Sequence, residues 1–419
     1  MFTFLHAADL HLDSPLKGLE QYEGAPLDEI RTAPRRALAN LVDLALDENV
    51  AFVLIAGDVY DGDWPDYNTG LYFVQQLSRL RAASIPVYLI SGNHDAANRI
   101  TRALRLPDHV HLFAADQPET RIFEAYNVAI HGQSYATAAV HEDLSLRYPV
   151  ARPGFWNIGL LHTCVTGREG HARYAPCTLE GLKGKGYDYW ALGHVHQRET
   201  LGLDPVITFP GNLQGRHVRE TGPKGCWLVT VPLGQPPSME FRELDVVRWN
   251  VASVDVEGAT TLVDVLAFGG RELERLYAQA SGRLLAVRIE LNGASPVHRV
   301  LHAHLERVTN ELRSVAYQLG QGRIWLEQVK LRTTEPGRPM NRGEIPDDAL
   351  GELEALFRAS RENPSLLSTW GVDLPGLVSK LPAELRLDAS VAQDGWIGEV
   401  LREAEALLLS RLFGEESPQ

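Results

Sequence analysis

Residues 86–95 read PVYLISGNHD, an apolar run from Pro86 to Ile90 that stops at Gly92-Asn93-His94-Asp95. A short apolar run ending at a turn-forming glycine has the character of a buried strand. The same pattern recurs on either side. Phe2 to Ala7 leads into Asp9 and His11, Phe52 to Ala56 into Gly57-Asp58, Ile158 to Leu161 into His162, and Tyr189 to Leu192 into Gly193-His194-Val195-His196. Between the first runs, Arg35 to Glu48 and Thr69 to Ala82 carry leucine and alanine at helical spacing. Strand and helix alternate, so the expected fold class is α/β, with the elements in layers. Ligands in such folds collect beyond the carboxyl ends of strands, and every polar cluster sits at such an end. A strand-and-turn region from Ile207 to Val231 is expected to close this domain, taken as residues 1–245.

Past residue 245 the metal-type residues thin out. A strand (Leu284 to Leu291), a helix (His298 to Gln318) and a strand (Ile324 to Leu331) predict a small α+β domain over 246–335. The Pro and Gly residues from Pro336 to Pro346 read as a linker into a helical C-terminal region, 336–419. It has one apolar stripe of Leu350, Leu353, Leu356 and Phe357, and another of Ile397, Val400, Leu401, Ala404, Leu407, Leu408 and Leu412.

At 419 residues, with 44% hydrophobic and 22% charged, the composition is that of a soluble globular protein of two or three domains and excludes disordered and fibrous classes. Residues 1–12 lack a signal peptide's basic start and cleavage site, and no apolar run approaches the roughly 20 residues that span a bilayer. The expected location is cytoplasmic, with no membrane partner. Cys164, Cys177 and Cys226 have no CxxC spacing, which indicates neither a disulfide framework nor a zinc–thiolate site. The net charge of −14 argues against broad attraction to phosphate polymers unless bound cations or a basic partner reverse the local field.

The polar clusters carry a specific chemistry. Asp9-Leu10-His11 sets a carboxylate and an imidazole two residues apart, on one side of an extended chain, where both can bind one ion. Asp58 ends a buried strand, where a lone carboxylate is costly without a cation or good hydrogen bonds. Asn93 offers a neutral oxygen ligand, and His94 a proton for a departing oxygen. His162 adds an imidazole; His194 and His196 alternate so as to reach two adjacent ions. The mixed donors suit Mn²⁺ first, then Fe²⁺ or Zn²⁺, better than Ca²⁺. Two such ions about 3.5–4 Å apart clamp a phosphate, generate a hydroxide and stabilise an in-line displacement, which is phosphoester hydrolysis. Any one of these residues alone reads as a strand cap or a satisfied buried group; the set points to metal.

In their order, these blocks (DxH, GD, GNHD, a lone His and GHxH) resemble the calcineurin-like metallophosphoesterases. The segments FLHAADLHLDSPL, GDVYDG and PGNLQGRHVRETGPKGC are similar to the SbcD/YhaO branch of DNA-repair nucleases, the YhaO type most of all. The resemblance spans roughly residues 1–230 and implies a layered β-sandwich flanked by helices. It implies that Asp9, His11 and His196 hold one metal, Asn93, His162 and His194 the other, with Asp58 between them. It makes His94 the catalytic acid, with Asp95 orienting His94 or its loop. It also implies DNA as substrate, 3′→5′ polarity, a homodimer, a capping domain at 250–335 that helps position DNA, and C-terminal helices that dock onto an SbcC-like coiled-coil ATPase. The chain has no phosphate loop of its own, so any ATP dependence would come from that partner.

Of the basic residues near these blocks, Lys17, Arg216, His217, Arg219 and Lys224 lie in family-like segments, and Arg216 and His217 are the expected substrate contacts. Arg99, Arg102 and Arg105 follow the GNHD loop, and Arg99 is the expected phosphate contact among them; a solvated helix face explains them nearly as well. Asp61 and Asp63, flanking Gly62, read as turn residues. His6, His109, His111, His131 and His171 read as structural. The leading function is a two-metal DNA nuclease in repair, exo- or endonucleolytic. The alternatives are a phosphodiesterase acting on a nucleotide, phosphoprotein or other non-DNA phosphoester, to which the acidic balance points, and a non-catalytic DNA-binding subunit.

Overall fold

Phe2, Phe4, Phe52 and Leu54 alternate with Leu5, Val53 and Ile55 along two neighbouring strands, and both sets are buried. Strands without a solvent face read as continuous apolar runs rather than alternating ones. In the computed structural model the described residues are 1–16, 24–61, 67–97, 105–165, 174–336 and 349–362, with positions 401, 404, 405 and 408. They divide into two compact units, residues 1–251 with 276–287 and 322–327, and residues 252–275, 288–321 and 328–419.

The first unit contains, in chain order, β1 (Phe2–Ala7), α1 (Leu27–Asp47), β2 (Phe52–Ala56), α2 (Asn68–Ala82), β3 (Val87–Ile90), α3 (Asn93–Ala97), β4 (Val110–Leu112), β5 (Glu119–Phe123), β6 (Val128–Gly132), β7 (Trp156–His162), α4 (Leu179–Lys183), β8 (Tyr189–Gly193), β9 (Glu199–Leu203), β10 (Val206–Phe209), β11 (Gly225–Val231) and β12 (Ser238–Glu243). The strands form two six-stranded sheets, ordered β12-β11-β1-β2-β3-β4 and β5-β6-β7-β8-β10-β9. β1 to β4 run parallel in the first, and β6, β7, β8 and β10 in the second.

Between the sheets lie Phe2, Phe4, Phe52, Leu54 and Ile90 from one and Val128, Ile130, Ile158, Leu160 and Tyr189 from the other. Phe4 stacks on Phe52 with ring centroids 4.9 Å apart and meets Tyr189 edge-on at 5.3 Å, geometries that aromatic quadrupoles favour. The outer face of the first sheet packs on α1 and α2 through Leu38, Leu41, Phe73 and Leu77. The outer face of the second buries Trp190, Leu192 and Ile207 with Leu144, Tyr148 and Leu182. Because both sheets are parallel at their centres, the carboxyl ends of β1, β2, β3, β7 and β8 gather the polar clusters.

Residues 247–334 carry a third sheet, β13 (Val247–Asp255), β14 (Leu284–Ala294) and β15 (Ile324–Thr334) in that order, with helices α5 (Leu262–Gln279), α6 (His298–Ala303) and α7 (Leu305–Gly320). The expected helix from His298 to Gln318 is thus two helices, broken at His304, whose φ of −126° is not helical. β13 and α5 were not anticipated. The Gly269-Gly270 pair, poor for helix propensity, masks α5. A Cβ at Gly269 would lie 2.7 Å from Leu312, so glycine there lets α5 approach α7.

In the C-terminal region, α8 (Ala349–Glu362) leaves Leu356 exposed. Leu401, Ala404 and Leu408 are helical. The side chains of Leu350 and Leu353, the linker from 337 to 346, and Ile397, Val400, Leu407 and Leu412 lie outside the described residues. No helix among the described residues is long and apolar enough to cross a membrane.

Candidate metal centre

The backbone bends sharply where the ligands sit. Asp9, His11, Asp58 and His194 all have positive φ (51°, 44°, 50° and 101°), a conformation rare for residues with a side chain. Such outliers persist only where surrounding structure holds them, and they cluster at functional sites. Here the tails of β1 and β2 stay zipped together: the N–H groups of Asp9, His11 and Leu12 donate to the carbonyls of Gly57, Asp58 and Val59 at 3.1, 3.0 and 2.9 Å. The GNHD turn docks on the same tails. A Cβ at Gly92 would fall 2.8 Å from Asp58 Cγ, closer than any side chain tolerates, so the close approach of the two loops requires glycine.

All seven expected ligands converge. Asp9, His11 and His196 bring ligand atoms within 4.8 Å of one another, as do Asp58, His162 and His194. Asn93 Oδ1 lies 3.1 Å from His162 Nε2. The donor chemistry tests whether a cation fits. His162 Nδ1 faces the Ala56 carbonyl at 2.8 Å and must carry its proton there. Its Nε2 lone pair then confronts two other acceptors, Asn93 Oδ1 at 3.1 Å and Asp58 Oδ2 at 3.4 Å. Likewise His196 Nδ1 donates to Glu220 Oε1 at 2.7 Å, leaving its Nε2 lone pair 3.0 Å from His11 Nε2, which can donate to it only by leaving the buried His11 Nδ1 an acceptor without a hydrogen-bond donor. Acceptors gathered this closely in a buried site repel unless a proton or a metal ion lies among them, so the residues fit divalent metal.

The same field appears in the ionisation of the metal-free site. Burial alone would strip the proton from His162, yet the charges of Asp58 and Asp9 outweigh it and push the imidazole up to about 9. Burial likewise raises Asp9 to about 6, whereas at Asp58 the neighbouring His162 outweighs burial and holds the carboxyl down at about 2. A pocket that holds a proton this tightly on a buried imidazole attracts a metal cation for the same reason.

His94 opens toward solvent, its side chain 40% exposed. Its Nδ1 lies 2.9 Å from Asp61 Oδ1 and its backbone N–H donates to Asp58 Oδ1 at 3.0 Å. Asp61 is therefore no mere turn residue. It receives Ser14 Oγ and Arg216 Nη1 at 2.7 and 2.8 Å as well, and these donors outweigh burial to hold its carboxyl down at about 2. Asp95, by contrast, does not touch the His94 ring. Its carboxylate accepts the N–H groups of Val59, Tyr60 and Gly92 at 3.2, 3.0 and 3.0 Å, which makes it the loop-former of the two roles expected for it.

Neither expected substrate contact behaves simply. Arg216 is enclosed, 13% exposed, between Asp61 and Glu220, whereas His217 is 54% exposed and turns toward solvent. Lys224 is buried and donates to the His196 carbonyl at 2.8 Å. Arg99, Arg102, Lys17, His171 and Asp63 lie outside the described residues. His6 is structural, bonded to Tyr189 Oη and the Leu192 carbonyl. Two acidic residues carry the surroundings of the centre: Asp61, expected as a turn residue, and Glu220, which nothing in the sequence singled out. Asp61 had one available signal, its place three residues beyond Asp58 in the same loop; Glu220 had only its position inside the PGNLQGRHVRETGPKGC segment.

Comparison with known proteins gives this geometry its relatives. Residues 2–198 match the calcineurin-like phosphoesterase family and residues 249–334 match the middle domain of the metallophosphoesterase YhaO. Over 298 residues the chain is 37% identical to an uncharacterized metallophosphoesterase YhaO of Bacillus subtilis, covering 70% of this chain and 72% of that one. The chain belongs to the calcineurin-like metallophosphoesterases. Two further relatives of this metallophosphoesterase are named as DNA double-strand break repair proteins, Mre11. That of Archaeoglobus fulgidus is 33% identical over 386 residues, covering 84% of this chain and 83% of its own. That of Sulfolobus acidocaldarius is 23% identical over 306 residues, covering 70% and 76%. Membership makes the chain a phosphoester hydrolase of a family that binds a dinuclear metal centre, and the clustered His and Asp side chains are placed where they could hold metal.

Proposed function

We propose that this metallophosphoesterase is a DNA nuclease of repair, cutting phosphodiester bonds as a 3′→5′ exonuclease, an endonuclease or both. The observation that carries the chemistry is the pairing of His94 with Asp61 at the open edge of a seven-residue ligand set. Asp9, His11 and His196 would hold one ion, Asn93, His162 and His194 the other, with Asp58 shared; Mn²⁺ is the ion we assign. Bound there, the ions would supply Lewis-acid stabilisation of the phosphoryl oxygens and an acidified water.

The protein's own residues do the rest. Asp61 accepts the Nδ1 proton of His94 and so leaves Nε2 as the end able to meet a departing oxygen. Burial works against a protonated His94, but the hydrogen bond to Asp61 and the charges of Asp58 and Asp61 outweigh it, and the imidazole is raised above its usual value. That suits an acid working near neutral pH. Asp95 fixes the distance between the GD and GNHD loops, so that His94 and Asp58 keep their relation. DNA as substrate is supported by the Mre11 relatives. We assign an SbcC-like coiled-coil ATPase, docked by the C-terminal helices, as partner, a homodimer as the assembly and the cytoplasm as location.

The net charge of −14 favours a second reading, a phosphodiesterase for nucleotides or other small phosphoesters. Turnover of end-labelled duplex DNA, with and without the ATPase partner, set against turnover of 2′,3′-cyclic AMP and a chromogenic diester, separates the two. Preference for DNA is expected; hydrolysis of the small esters with none of DNA would establish the second reading.

A further inference from the structure

A largely enclosed cation lies between the two ends of the centre, and neither the ligand set nor the acid accounts for it. The Arg216 guanidinium forms a fork: Nη1 donates to Asp61 Oδ2 at 2.8 Å and Nη2 to Glu220 Oε1 at 3.0 Å. Its Nε faces Glu220 Oε2 at 3.4 Å. Asp61 holds His94 at 2.9 Å, and Glu220 holds His196 at 2.7 Å. A chain of polar contacts thus runs His94, Asp61, Arg216, Glu220, His196, from the acid to a metal ligand. Glu220 is pinned in turn by the Arg216 N–H at 2.8 Å and by Asn212 Nδ2 at 2.9 Å.

With all three side-chain nitrogens engaged and the side chain 13% exposed, Arg216 has little left to offer a phosphate. It has much to do where it stands. Of the two carboxylates that flank it, Glu220 is buried and Asp61 largely enclosed; they would repel if it left, and each bonds an imidazole. The planar fork also matches two carboxylates at once, which an ammonium does not.

We propose that Arg216 is a positioning residue that holds Asp61 and Glu220 at fixed separation and so sets His94 and His196 in one frame. The proposal rests on the reading of the seven-residue set as a metal centre and of His94 as the acid. It predicts two separable defects in one variant, a weaker metal site through His196 and a misplaced acid through His94.

The test is Arg216→Lys and Arg216→Ala in the full-length protein, with thermal unfolding to establish that each folds. Calorimetric titration of the metal-free proteins with Mn²⁺ is expected to show one of two ions bound about 10–100-fold more weakly than in wild type. At saturating Mn²⁺, hydrolysis of a diester with a 4-nitrophenolate leaving group is expected to recover, while kcat on DNA stays about 10–100-fold low with KM within twofold. Added guanidinium is expected to restore part of the loss in Arg216→Ala. A KM raised tenfold or more with kcat and Mn²⁺ affinity unchanged would make Arg216 a substrate contact and overturn the proposal. A kcat loss with unchanged Mn²⁺ affinity would break the link to His196, and no change in any readout would remove the role altogether. If wild type cuts no DNA, it is the functional reading that fails, and the Mn²⁺ titration still decides on Arg216. Should Arg216→Ala not fold, Arg216→Lys carries the same comparison.

Discussion

Replacing Asp61 by asparagine should uncouple the acid from the rest of the centre. Asparagine keeps the shape, but the Asp61 carboxylate faces three donors: His94 Nδ1 at 2.9 Å, Ser14 Oγ at 2.7 Å and Arg216 Nη1 at 2.8 Å. An amide nitrogen placed there finds no acceptor, so the group must rotate or the imidazole must turn away. Loss of an orienting carboxylate of this kind costs about 10–100-fold in rate, which is about 1.4–2.7 kcal/mol of transition-state stabilisation. The loss should depend on the leaving group. A DNA alkoxide needs a proton, whereas 4-nitrophenolate leaves without one, so the chromogenic diester should lose no more than about threefold. The pH profile should shift with it. In the metal-free centre burial lowers His94, and the Asp61 hydrogen bond and the Asp58 and Asp61 charges raise it further than burial lowers it; of these, Asp61 is the group that bonds the imidazole directly. Without Asp61 the alkaline limb of kcat on DNA moves to lower pH. Steady-state kinetics of both substrates across pH in excess Mn²⁺ measures this. Equal losses on the two substrates, or full activity on DNA, would refute the assignment of Asp61 and His94.

Other perturbations separate structure from chemistry. Asp95→Ala leaves three backbone N–H groups without their acceptor, at about 1–3 kcal/mol each, so urea denaturation should show a loss of several kcal/mol that Asp61→Asn does not share. Gly92→Ala should push Asp58 out of place, and metal analysis should find fewer than two ions per chain in a protein that still folds. Burial lowers His6 to about 3, against an ordinary value near 6.5, so below pH 6.5 the unfolded chain takes up a proton that the folded one refuses. Stability should therefore fall as pH drops from about 6.5 toward 3, and His6→Gln should flatten that slope in acid denaturation measured with metal absent. Mn²⁺ added to chelator-treated protein should stabilise the fold in a concentration-dependent way, by about 4 kcal/mol per bound ion at a thousandfold excess over Kd, read as a rise in melting temperature.

What was legible in the sequence follows from the physics of each part. Strands buried on both faces announce themselves as apolar runs, and their abrupt ends at Asp9, Asp58, Gly92 and His194 show where the chain turns polar. Ligands are also unusual residues in unusual order, which is why their convergence could be expected from their spacing. The residues that orient them are not. Asp61 and Glu220 are two among 54 acidic residues, and what distinguishes them is contact with His94 and His196, made by folding across 33 and 24 positions of chain. Arg216 looked like a phosphate contact because arginine near a metal centre often is one; only the two flanking carboxylates show its side chain already engaged. The second unit was harder still. Its helix α5 carries Gly269-Gly270, which weakens the helical pattern because the need for them lies on α7.

The most direct test of the account is cleavage of end-labelled duplex DNA by wild type and His94→Ala in the presence of Mn²⁺, with the bound metal quantified in both. The account predicts that wild type cuts, and that the variant fails by about a hundredfold or more while retaining two ions per chain. Undiminished cleavage by a fully metallated His94→Ala would contradict it.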